Sequence, residues 1–128
     1  KQDNSLLTEV ELEFMTVIWA TGGGTVRDLL AELNKLQQRA YTSVATVLKI
    51  MEQKGFLTSE RQDRSLVYRP AVPKADYQKT TLKNLSSKLF NDTPAALVAR
   101  LVEDEEVTDE MLVEMRALLN ERLGDNAS

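Results

Sequence analysis

At 128 residues the chain has room for one ordinary domain or two very small ones, and a composition that is 42% apolar but only 5% aromatic suits a core of Leu, Val, Ile and Met between packed helices. Neither Cys nor His occurs, which excludes disulfides, thiolate nucleophiles, the usual structural zinc sites and every mechanism built on an imidazole base, and leaves a carboxylate-only hydrolase as the sole enzymatic reading. The net charge of −4 argues against nucleic acid, yet residues 25–73 carry eight Lys and Arg against five Asp and Glu, while residues 74–128 carry seven against eleven, the asymmetry of a basic reading head on an acidic body.

No apolar run approaches the ~20 residues that a bilayer span needs. Lys1-Gln2-Asp3-Asn4-Ser5 lacks the apolar core of a signal peptide, and the start at Lys rather than Met points to a trimmed chain. A cytoplasmic protein without membrane contact is expected.

The first predicted element runs from Thr8 to Ala20. Thr8-Glu9-Val10-Glu11 is a capping box, in which the Thr8 hydroxyl takes the N–H near Glu11 and the Glu11 carboxylate reaches back. Leu12, Met15, Ile18 and Trp19 then mark the apolar face, with Glu9, Glu11, Glu13 and Thr16 on the solvated side. Gly22-Gly23-Gly24 ends the helix as a flexible turn; no Lys-Ser/Thr follows to make it a phosphate loop. A second helix opens at Thr25-Val26-Arg27-Asp28 and buries Leu29, Leu30 and Leu33, and Lys35 to Arg39 is a polar turn. A third helix spans Thr42 to Lys54, capped by Thr42 or Ser43 and stopped by Gly55. Its stripe Val44, Val47, Leu48 and Met51 faces inward, and Ser43, Thr46, Lys49 and Gln53 face outward. Two short helices joined by a turn, the second with hydroxyls and Lys on its free face, form a helix-turn-helix pattern.

Phe56–Arg61 and Leu66–Arg69 then read as a hairpin turning through Gln62-Asp63-Arg64-Ser65, closed by Pro70 and Pro73. A hairpin directly after a recognition helix is a wing. From Lys74 the pattern is helical only. Tyr77, Leu82, Leu85, Leu89 and Phe90 mark one helix; Thr93-Pro94 opens another with Leu97, Val98, Leu101 and Val102. Thr108-Asp109-Glu110 opens the last, with Met111, Leu112, Met115, Leu118, Leu119 and Leu123 as its stripe and fraying expected from Gly124 onward. Glu103 to Glu106 between them is a solvated charge run. About 55 residues of helix struggle to build a core alone, so a homodimer is expected through Leu85, Leu89, Leu97, Leu101, Met111, Leu112, Met115, Leu118 and Leu119.

Hydroxyls of Ser43 and Thr46 can bond base edges or phosphates, and Lys49 and Lys54 are long cations suited to phosphates. Arg39 and Tyr41 can clamp a phosphate ahead of the helix, although the Tyr41 ring can equally pack on the turn. Arg61, Arg64 and Arg69 can enter a minor groove, brace the backbone, or be ordinary loop charge. The fold class is mainly α with a small β-hairpin: a winged helix over residues 1–73 and a helical dimerisation domain over residues 74–128. A winged-helix protein-interaction module without DNA binding is the alternative, favoured by the acidic total charge. No cofactor or metal is expected.

These segments carry a resemblance. Leu7-Thr8-Glu9-Val10-Glu11-Leu12-Glu13 with Val17-Ile18-Trp19, then Ala40-Tyr41-Thr42-Ser43-Val44-Ala45-Thr46-Val47-Leu48, Glu52-Gln53-Lys54-Gly55-Phe56-Leu57, Tyr68-Arg69-Pro70 and Glu114-Met115-Arg116-Ala117-Leu118-Leu119 are similar in order and spacing to the BlaI/MecI/CopY penicillinase-repressor family of bacterial winged-helix repressors. The resemblance implies a homodimer on a pseudopalindromic double-stranded operator, with interlocked C-terminal helices. It places Thr42, Ser43 and Thr46 where the family reads DNA, and Lys54 and Arg64 at its backbone contacts. It also implies an inducing partner, such as the sensor protease that triggers cleavage of an Asn-Phe bond in the penicillinase branch. Three positions depart. Ile50 stands where the family often has Arg, Arg100-Leu101 stands at the Asn-Phe position, and the Cys-rich tail of the copper-responsive branch is missing.

Overall fold

A computed structural model describes residues 6–124, so the expectations for Lys1–Ser5 and for residues 125–128 lie outside the described residues. The chain divides into two compact units, one ending at Thr81 and the other beginning at Leu82.

The first unit opens with α1 (Glu9–Thr21). The capping box forms as the sequence predicts: the Glu11 N–H donates to Thr8 Oγ1 at 3.1 Å and the Thr8 N–H to Glu11 Oε1 at 3.0 Å. The buried stripe differs from the expected one. It consists of Glu11, Phe14, Met15 and Ile18, while Trp19 is half-buried and Leu12 is 41% exposed at the margin. The stripe begins with an acid, and the apolar face runs through Phe14 rather than Leu12.

The three glycines are more than a flexible turn. Gly22 caps α1 in the left-handed conformation, and Gly24 exchanges two backbone hydrogen bonds with Tyr68 at 2.9 and 2.8 Å. The segment between the first two helices is therefore fixed to the hairpin.

Thr25 caps α2 (Val26–Asn34), with Asp28 completing a second capping box, and Leu29 and Leu33 are buried. The third helix, α3 (Tyr41–Gln53), begins earlier than expected. Its N-cap is Ala40, without a side-chain cap, so Thr42 and Ser43 lie inside the first turn with their hydroxyls outward. Val44, Leu48 and Met51 are fully buried at i, i+4 and i+7. Gly55, at φ +94°, takes the left-handed position that ends a helix cheaply.

Strands β1 (Leu57–Gln62) and β2 (Ser65–Pro70) pair antiparallel from Leu57↔Pro70 to Gln62↔Ser65. The turn is the two residues Asp63-Arg64, both at positive φ, rather than four, because Gln62 and Ser65 form the last rung. Phe56, Leu57 and Tyr68 join the helices' side chains in one core.

The first turns of α4 (Lys74–Leu89) belong to this unit through Tyr77. Its hydroxyl accepts the Leu7 N–H at 2.8 Å, and its ring meets Trp19 and Phe56 at 5.9 and 6.0 Å between centroids. Trp19 Nε1 in turn donates to the Val72 carbonyl at 2.9 Å.

The second unit holds the end of α4 with α5 (Pro94–Glu103) and α6 (Asp109–Leu123). Pro94 occupies the first helical position of α5, and the Thr108 hydroxyl caps α6 by accepting the Met111 N–H. No described side chain of this unit is buried within the single chain. Leu85, Leu89, Leu101, Met111, Leu118 and Leu119 are exposed; Leu97, Leu112 and Met115 are half-buried. Val98, Val102, Leu112, Val113, Met115 and Leu119 line an apolar hollow on α5 and α6. Among the described residues no helix is long and apolar enough to cross a membrane.

Candidate nucleic-acid interface

The outward face of α3 is set by its inward one. With Val44, Leu48 and Met51 in the core, helical spacing turns Thr42, Ser43, Thr46, Lys49 and Ile50 to solvent, all of them exposed. The Thr46 hydroxyl donates to the Thr42 carbonyl at 2.9 Å. This leaves its oxygen lone pairs free to accept from a base amine. Ile50 is 41% exposed and presents apolar surface on the same face.

A second face of α3 looks toward the hairpin. Tyr41, Ala45 and Lys49, one turn apart, form one wall of a groove of about 420 Å³. Arg61, Arg64, Ser65, Leu66 and Tyr68 of the hairpin form the opposite wall, and Thr25, Val26 and Arg27 at the start of α2 close the end. Arg61 points there because it shares the pleat of Leu57 and Ser59, facing Leu66 across the pair. The Arg27 guanidinium lies 5.8 Å from the Tyr41 ring centroid, so this ring packs against a cation rather than into the turn. Sequence reading overlooked Arg27, whose position on α2 brings it to α3 and the hairpin only in the folded chain.

Two predicted contacts are engaged elsewhere. Lys54 Nζ bonds Glu11 Oε2 at 2.7 Å, and the Glu11 side chain is only 7% exposed. Burial pushes the Glu11 carboxyl up, but the hydrogen bonds from Lys54 and from Thr8, with the Lys54 charge, outweigh it and hold the group below its ordinary value of 4.5. Arg39 is paired to Glu13 and lies over the Phe14 ring, with its side chain 15% exposed. The two cations thus fasten α3 to α1 just before its first turn and just after its last. Arg69 is likewise engaged, donating to the Gly22 carbonyl at 3.1 Å.

A helix-turn-helix whose second helix is flanked by a basic hairpin defines the chain as a winged-helix protein of the DNA-binding type. The family model described as Penicillinase repressor matches residues 7–121, and the chain belongs to that family. It is 25% identical over 115 residues to the penicillinase repressor of Bacillus licheniformis, covering 90% of each chain. To the methicillin resistance regulatory protein MecI of Staphylococcus aureus strain Mu50 it is 23% identical over 116 residues, covering 91% of this chain and 94% of that one. Among solved structures it is similar to the DNA-binding domain of the repressor BlaI, with a TM-score of 0.54 and 27% identity over 60% of this chain and 94% of that one. It is also similar to monomeric Bacillus licheniformis BlaI in complex with the blaP half-operator, with a TM-score of 0.51, 27% identity and the same coverage. The fold class expected from the sequence agrees with these structures.

Proposed function

We propose that the chain is a sequence-specific transcriptional repressor that acts as a homodimer on a pseudopalindromic operator. Its activity is binding rather than catalysis, and its place is the cytoplasm, where the chromosome lies. The observation that carries the reading is the outward face of α3, with Thr42, Ser43, Thr46 and Lys49 all exposed beside a basic wing. The hydroxyls suit base edges in the major groove, and Lys49, Tyr41 and Arg64 suit the phosphates on either side. Arg39 and Lys54 act from behind, fixing the angle of α3 rather than touching DNA. Ile50 offers an apolar surface for a thymine methyl group in place of an arginine's bidentate contact.

Dimerisation is supported by a second unit in which no described side chain is buried and a row of leucines is exposed. Leu118 and Leu119 are 62% and 59% exposed, and a second copy of α6 and α5 would cover them. Leu119→Glu is expected to turn a dimer into a monomer in sedimentation velocity; a dimer that persists would move the interface elsewhere. Release would fall to an inducing partner, whether a sensor protease or another signal. A protease would meet Arg100-Leu101 inside α5, where the helix must open before the bond can be cut.

The test of the reading is selection of genomic DNA fragments by the purified chain at about physiological salt, where specific and non-specific binding separate. A single palindromic motif with half-sites about 34 Å apart is expected, and recovery of no motif would overturn the reading. On that motif, Thr46→Ala is expected to lower the preference for operator over random DNA about five-fold, the worth of roughly 1 kcal/mol for one hydroxyl contact. Lys49→Ala is expected to weaken operator and random DNA alike. Equal losses from Thr46→Ala would make Thr46 a backbone contact.

A further inference from the structure

We propose that the groove between α3 and the hairpin is a seat for the DNA sugar-phosphate backbone, and that Arg27, at the start of α2, is a DNA contact held in place by the ring of Tyr41. The proposal rests on the repressor reading and extends the interface to an element outside the recognition helix and wing.

Four cations from three elements, Arg27, Lys49, Arg61 and Arg64, line the groove, and no carboxylate does. None of the four makes a salt bridge among the described residues, whereas Arg39 and Lys54 both do. Each of the three arginines has an acid beside it in sequence: Asp28 is occupied, its Oδ2 accepting the Thr25 N–H at 3.1 Å in the α2 cap, and Glu60 and Asp63, next to Arg61 and Arg64, neither line the groove nor form a salt bridge among the described residues. Like charges gathered without a counter-charge repel one another, and an anion bound among them relieves the repulsion.

Three local features fit a polyanion. The Arg27 guanidinium sits 5.8 Å from the Tyr41 ring centroid, an arrangement that fixes the side chain by its face and leaves its N–H edge available to phosphate oxygens. Arg64 stands at φ +148° in the wing turn, a conformation that favours Gly. That strained position puts an arginine, rather than a glycine, in the lining of the groove. Ala45, between Tyr41 and Lys49, leaves the helix wall low, so a strand can approach α3 closely. The hydroxyl face of α3 lies around the same helix, so a strand leaving a major groove occupied by α3 passes between α3 and the wing.

The test uses the full chain and a fluorescent random-sequence duplex of roughly 30 base pairs, long enough for two heads a helical turn apart, titrated over a range of potassium chloride concentrations. For Arg27→Gln, the slope of log affinity against log salt is expected to fall by about one per protomer. Ser65→Glu, which adds a carboxylate to the rim at an exposed position without removing a cation, is expected to weaken binding in the same direction. A wild-type slope in Arg27→Gln would overturn the proposal while leaving the repressor reading intact. No salt-dependent binding by the wild-type chain would overturn both. Displacement of the duplex by inorganic phosphate beyond that by chloride at equal ionic strength, lost in Arg27→Gln, would make the groove a small-anion site and overturn the backbone assignment.

Discussion

Replacing Gly23 with Ala is expected to destabilise the first unit by about 3–4 kcal/mol and to uncouple the wing from the helices. A Cβ at Gly23 would stand 2.0 Å from the Tyr68 carbonyl oxygen, 3.1 Å from its carbon and 3.2 Å from the Arg69 Cα. These are backbone atoms of β2, which cannot swing aside as a side chain would. Gly23 also holds φ +109°, which costs an L-residue roughly 1–2 kcal/mol. Relieving the clash means moving β2 outward, and that breaks the two hydrogen bonds between Gly24 and Tyr68, at roughly 1 kcal/mol each. It also disturbs the Tyr68 ring, which is 4% exposed. Gly22→Ala is the control. That position is also left-handed, at φ +87°, but nothing lies within 4 Å of the new methyl, so only about 1 kcal/mol is expected. Urea unfolding of both variants separates the two causes. Equal losses would mean that conformation alone, and not the close approach of β2, makes Gly23 necessary.

The same region shows where sequence reading stops. The capping box at Thr8, the cap at Thr25 and the stop at Gly55 are local patterns, and each is found as read; of the stripe Val44, Val47, Leu48 and Met51, Val47 alone is half-buried rather than buried. Their order is enough for a helix-turn-helix followed by a hairpin. What the pattern does not hold is anything decided by a partner far along the chain. The triple glycine reads as a loop because its partner, Tyr68, is more than forty residues away. Glu11 reads as solvated because acids on helices usually are, and it is Lys54, forty-three residues on, that adds to the Thr8 hydrogen bonds the counter-charge its burial needs. Lys54 and Arg39 read as unpaired cations for the complementary reason, since a cation beside a recognition helix looks free until its carboxylate is located. Arg27 fell inside a capping motif and drew no attention, although folding places it against Tyr41.

The pair of Glu11 and Lys54 carries the second large expected effect. Lys54→Met keeps the aliphatic stem but leaves the Glu11 carboxylate buried without its cation. Removing one partner of a buried pair costs roughly 3–5 kcal/mol; because the Lys54 side chain is 34% exposed and water can reach the site, about 2–3 kcal/mol is expected at pH 7. Glu11→Gln is expected to cost less, since the amide oxygen can still accept the Thr8 N–H and the abandoned ammonium can turn to water. The pH dependence distinguishes this from a packing defect. The folded chain holds the Glu11 carboxyl below its ordinary value of 4.5, so the pair's contribution is fully present above that value and is lost as pH falls through the folded one. In Lys54→Met the lysine's hydrogen bond and charge are gone while desolvation remains, so the carboxyl takes up its proton at higher pH and the cost of its buried charge disappears earlier. The stability gap between wild type and Lys54→Met is therefore expected to be widest near neutrality and to narrow toward about pH 3.5. Urea unfolding at the two pH values measures it, and a gap that does not change would mean that Lys54 contributes through its methylenes and not through its charge. Because Lys54 caps the C-terminal end of α3, Lys54→Met is further expected to lose operator preference while keeping the wild-type salt slope on random DNA. A direct phosphate contact would lower that slope, so the same variant separates a lysine that aims the recognition helix from one that touches the backbone.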